Sequence, residues 1–109
     1  MRYSIRKIIR IYPALWLQMN QCMKVTRYKP SQFMEVCISR YLDKGEPNEL
    51  DEYLYGVPSF EKKVVPLNFY ITDDLAIRLD EYMSKTDKTF SFIARQSILY
   101  YLIEYRKLI

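Results

Sequence analysis

The 109-residue sequence has no histidine and only two cysteines, Cys22 and Cys37. A structural zinc site normally takes four Cys or His ligands, so the donor set for one is missing. Catalysis through a histidine base or a Ser–His pair is excluded by the same count. In a cytosolic chain, two such cysteines read as small buried apolar residues, and a disulfide is open only for a hyperthermophilic source. Glycine is as scarce, with two against five prolines, which leaves little sequence for long irregular loops. Long hydrophobic runs are also lacking. The best candidate, IIRIYPALWL, is interrupted by Arg10 and Pro13 and falls short of a bilayer span. That interruption, and the lack of a small-residue cleavage site, argue against a signal peptide. Asp73/Asp74 and Asp80/Glu81 are adjacent carboxylates that diverge in direction on a helix, so no acid/base pair is in place. The expectation is a cytoplasmic protein (host cytoplasm for a viral one) that is not an enzyme. No catalytic residue, metal ligand, cofactor, membrane or small-molecule substrate is expected.

What is present is charge with an uneven distribution. Half of the residues are apolar and 28% are charged, as in a globular chain, and the net charge is +4. Residues 1–45 hold nine Lys/Arg against Glu35 and Asp43, residues 46–61 hold five acids and no base, and residues 62–109 hold eight bases and six acids. The three segments thus carry +7, −5 and +2. A basic concentration of this kind fits a polyanionic partner or a solvated face.

The chain also repeats. Displaced by sixty residues, IYPALWLQMNQCMKVTRYKPSQFMEVCISRYL (11–42) lies over ITDDLAIRLDEYMSKTDKTFSFIARQSILYYL (71–102) without a gap. Eight of the 32 pairs are identical, among them Leu15/Leu75, Met23/Met83, Ile38/Ile98 and Tyr41/Tyr101, and most are apolar at helical spacing. In the second copy Leu67, Phe69 and Ile71 alternate with polar neighbours, which is strand period. At Thr72 the period changes, with Thr72 as N-cap and Asp73–Asp74 in the first helical turn. A second helix starts after Thr89. In the first copy Arg6–Ile11 is the strand, Pro13 and Pro30 open the helices, and Gly45 with Pro47 closes the second. Between the copies, GEPNELDEYLYGVPSFEKK is expected to hold one short acidic helix around Asn48–Tyr55, capped by Asn48. The division is residues 1–45, an acidic linker over 46–63, and residues 64–109, with one shared core.

One strand and two helices cannot bury the strand's edges alone, so the two strands of the chain are expected to pair. LNFYITDDLAIRLDEYMSKTDKTFSFIARQSILYYL, and more loosely IIRIYPALWLQMNQCMKVTRYKPSQFMEVCISRYL, resembles the ribbon–helix–helix family of Arc-, MetJ- and CopG-like repressors. Two copies in one chain resemble its tandem members, such as the TraY accessory proteins of conjugative plasmids. The turn between the helices departs from the family, with Arg27–Tyr28 and Asp87–Lys88 where glycine is usual. The expected fold is mainly α, with a two-stranded antiparallel β-ribbon in a tandem, single-chain pseudo-dimer.

The resemblance implies double-stranded DNA as the partner, with the ribbon's outer face in the major groove. Strand parity places Arg6, Ile8 and Arg10 outward in copy one, and Asn68 and Tyr70 in copy two. Pro66 shares that parity and bounds its strand. Arg suits guanine, Asn suits adenine, and Ile8 suits a thymine methyl. Lys7 falls on the inward parity, so it either lies beyond the paired strand or snorkels. Phosphate contacts are expected at the starts of the second helices, from Lys29 and Ser31 and from Lys88, Thr89 and Ser91. Eleven tyrosines exceed what the core needs, so some are expected at the surface. The implied role is a sequence-specific repressor; a DNA accessory protein, or an interaction module that has lost DNA binding, are the alternatives. Two chains associating on DNA is left open. Plentiful Ile, Tyr and Lys with little Ala and Gly fit an A/T-rich genome, such as that of an archaeal virus or plasmid.

Overall fold

The computed structural model describes residues 3–51 and 64–108. Among them run β1 (Ile5–Ile11), α1 (Pro13–Thr26), α2 (Pro30–Asp43), β2 (Val65–Ile71), α3 (Asp73–Thr86) and α4 (Phe90–Leu108). The described chain is mainly helical, with one two-stranded antiparallel sheet. Every element of the first half starts sixty residues before its counterpart in the second.

Each strand passes to its helix through one extended residue, Tyr12 or Thr72. Thr72 Oγ1 accepts the Leu75 N–H at 3.2 Å and so caps α3 as expected. Pro13 and Pro30 stand at the first position of α1 and α2, where a missing N–H costs nothing. Gly45, at φ +80°, ends α2 with its N–H on the Leu42 carbonyl at 3.2 Å.

The glycine-free turns adopt a glycine-like backbone. Arg27 and Asp87, again sixty residues apart, take φ of 63° and 59°. A left-handed conformation costs an L-residue about 1–2 kcal/mol, and short Asp tolerates it better than Arg. Arg27→Gly is therefore expected to stabilise the protein by about 1 kcal/mol and raise Tm by about 4 °C in a thermal melt. Asp87→Gly should give less.

The linker departs from expectation. Residues 48–51 carry no helix, and 52–55 lie outside the described residues. The Leu50 N–H donates to Gln96 Oε1 and the Leu50 carbonyl accepts from Gln96 Nε2, both at 2.9 Å. The Tyr100 hydroxyl donates to the Asn48 carbonyl. Gln96 is fully buried on α4, and a buried amide needs both partners. The main chain of Leu50 supplies both, and residues 48–51 run beside α4 without helical structure.

One cluster of buried side chains draws on all six elements. The inward strand residues Ile9, Ile11, Leu67, Phe69 and Ile71 are buried in it, as their parity predicts. Cys22 and Cys37 are free and buried, and burial raises both thiols, that of Cys37 strongly. The tyrosines are mostly structural. Tyr41 packs against Tyr82 at 6.1 Å and Tyr100 at 5.6 Å, and Tyr101 meets Phe33 edge-on at 5.4 Å, tying α2 to α3 and α4.

These rings set the pH response. The Tyr3 hydroxyl donates to the Glu35 carboxylate, which pushes its pKa up to about 12. Burial takes Tyr101 up to about 12 and raises Tyr41 as well. A phenol whose folded pKa exceeds its unfolded value of about 10 stabilises the fold below that pH and ceases to as pH rises through the folded value. Stability should therefore hold steady from about pH 6 to 8, where no histidine titrates, begin to fall near pH 9 as the unfolded thiols ionise, and fall further to about pH 12 with the phenols. Denaturant melts across this range check it; a decline beginning near pH 7 would contradict it.

Candidate nucleic-acid interface

The ribbon supplies the centre of the site. β1 pairs with β2 from Ile5↔Ile71 to Ile11↔Val65, with Ile8↔Asn68 at the middle. Alternation leaves Arg6, Ile8, Arg10, Pro66, Asn68 and Tyr70 exposed on one face. Ile8 is 52% exposed and Tyr70 45%. Of the nine tyrosines whose side chains are described, Tyr70 alone is exposed, and it lies on this face; Tyr53 and Tyr55 lie outside the described residues. Arg6 Nη2 donates to Asn68 Oδ1 at 3.0 Å, so the two strands are joined across the face.

Two helix N-termini flank the ribbon. At α2, Ser31 Oγ accepts the Tyr70 N–H at 2.9 Å and docks the helix on the edge of β2. Lys29 is the exposed N-cap there, with no side-chain capping bond. Ser31 keeps its own proton to donate. At α4, Thr89 Oγ1 accepts the Phe92 N–H at 3.2 Å, so Thr89 caps its own helix. Exposed Lys88 holds its ammonium 4.8 Å from the centre of the Phe92 ring. Ser91 is half-buried in the first turn.

Lys7 is the residue that sequence parity left unplaced. It lies within the paired strand, opposite Phe69, and not beyond it. Its ammonium sits 4.9 Å from the centre of the Phe90 ring, and Phe90 stacks on Phe69 at 6.1 Å. The side chain thus snorkels along the ribbon's inner edge and adds a cation at the start of α4. The parity conflict was its signal in the sequence; the ring that receives it was not legible there.

Comparison of the chain with protein-family models, curated proteins and solved structures finds no match. Shape and charge then carry the chemistry. Paired strands lie about 4.8 Å apart, and a B-DNA major groove about 12 Å wide admits such a ribbon. Its outer row offers two guanidinium forks, an amide, a phenol and an aliphatic side chain, and no carboxylate. A cleft of about 370 Å³ elsewhere is lined by Glu35, Asp73, Asp74 and Arg78 among others, which suits no polyanion. Among the described residues, no group of three His, Cys, Asp or Glu is placed to hold a metal, and no helix is long and apolar enough to cross a membrane.

Proposed function

We propose that the chain is a tandem ribbon–helix–helix protein that binds double-stranded DNA sequence-specifically and acts as a transcriptional repressor. The exposed row of Arg6, Ile8, Arg10, Asn68 and Tyr70 on a groove-sized ribbon carries this reading. The row reads base edges, and Lys29, Ser31, Lys88, Thr89 and Ser91 grip phosphate where the second helices begin. The sixty-residue recurrence of strand, helix and left-handed turn supports the tandem arrangement. A DNA accessory role in plasmid transfer or replication uses the same face and is separated from repression by where the footprint lies.

Fluorescence anisotropy of a labelled duplex pool, titrated at several salt concentrations, tests the proposal. Two phosphates neutralised by Lys29 and Lys88 give a log–log slope of about −1.8 against salt. Absence of binding at low salt would sink it. One observation favours a protein-interaction module in that event: Leu17 and Ile77, equivalent in the repeat, are 55% and 57% exposed on α1 and α3.

A further inference from the structure

We infer that the DNA site of one chain has a direction, with a guanine toward each end, both on the one DNA strand that faces β1, about a central A·T pair. The inference rests on the DNA-binding reading above and adds the base pattern this chain selects.

Asn68 is the repeat equivalent of Ile8, and the two are paired, so a local two-fold axis passes between them. The register obeys this axis: Arg6↔Tyr70 maps onto Arg10↔Pro66, and Ile5↔Ile71 onto Ile11↔Val65. The side chains do not. The axis carries Arg6 onto Pro66, Ile8 onto Asn68 and Arg10 onto Tyr70. Both guanidinium groups of the outer row therefore belong to β1. The flanks differ as well. Lys7, with its ammonium over Phe90, corresponds to buried Leu67, and Lys88 corresponds to Tyr28.

A palindromic duplex offers the same base edges twice, so one half would always meet the wrong side chains. Arg6 and Arg10 match guanine O6 and N7, for which Pro66 offers no donor. On the axis, Asn68 suits adenine and Ile8 suits the methyl group of its thymine partner, so one central A·T pair satisfies both in a single orientation. The Arg6–Asn68 hydrogen bond at 3.0 Å holds the amide in place for that contact.

Selection from duplexes randomised over about ten base pairs, one helical turn, tests this. It is run with the wild-type chain and with the triple variant Pro66→Arg/Asn68→Ile/Tyr70→Arg, whose strands present the same outer row. All three replaced side chains are exposed, and circular dichroism checks that the fold is kept. The wild type should select a non-palindromic site with both guanines on one DNA strand, one toward each end. Palindromes built from either half should bind about tenfold more weakly for each mismatched pair. The triple variant should select a palindrome. Should that variant not fold, Arg10→Ala serves instead and should erase the guanine preference at one end only, leaving the guanine read by Arg6. A palindromic wild-type site, or loss of the guanine preference at both ends in Arg10→Ala, overturns the direction and leaves DNA binding standing. No enrichment, with no salt-dependent binding of the unselected pool, overturns both.

Discussion

Replacing Arg6 and Arg10 together by alanine should weaken binding to the selected duplex at least about a hundredfold while leaving the melting temperature unchanged. Both side chains are exposed on the outer row, and exposed substitutions of this kind cost the fold about 0.5 kcal/mol or less. On DNA each bidentate Arg–guanine pair is worth about 1–3 kcal/mol, and each 1.4 kcal/mol is tenfold. Arg6 carries a second consequence, because its loss also frees the Asn68 amide it orients at 3.0 Å. Arg6→Lys separates charge from recognition. It keeps the phosphate-attracting charge but not the fork, so affinity for the selected site should fall about tenfold while pooled duplex binds as before. Undiminished affinity of the double variant for its duplex would remove base reading from the ribbon.

Much of this face was legible in the sequence because two simple periodicities control it. Alternation over Leu67, Phe69 and Ile71 gave the buried side of the strand, and the polar remainder gave the exposed one. Thr72 marked the strand-to-helix junction because its hydroxyl satisfies a helix N–H that nothing else reaches. What could not be read depends on partners distant in the chain. Asn48 looked like a helix cap, but Gln96, 46 residues beyond Leu50, claims the main chain there. The bond from the Tyr70 N–H to Ser31 Oγ, 39 residues back in the chain, had no signal in the sequence. Arg27 and Asp87 gave no turn signal, since left-handed backbone is normally marked by glycine. Most tyrosines were hard to place because a phenol packs its ring inside and keeps its hydroxyl at the rim.

The largest loss of stability is expected from Phe33→Ala, and its form bears on function. Phe33 is fully buried on α2 and meets Tyr101 of α4 edge-on at 5.4 Å, so it sits where the two repeats join. Truncating a buried phenylalanine costs about 3–5 kcal/mol, against a total of about 5–15 kcal/mol for a typical domain. Ile93, its repeat equivalent, is equally buried, and Ile93→Ala should cost about 2–5 kcal/mol. The single tryptophan, Trp16, lies on α1 in the first repeat and reports that repeat selectively. In urea, Trp16 fluorescence and far-ultraviolet circular dichroism should follow one transition in the wild type, and Ile93→Ala should shift both together. Repeats that folded independently would leave the Trp16 transition of Ile93→Ala in place while the dichroism split in two. A shared core has a direct bearing on the ribbon. Each strand covers half of the core's open side and finds its hydrogen-bond partner only in the other repeat. The exposed row then exists only when both halves are folded, and a substitution in either core half removes Arg6 and Asn68 from register at once.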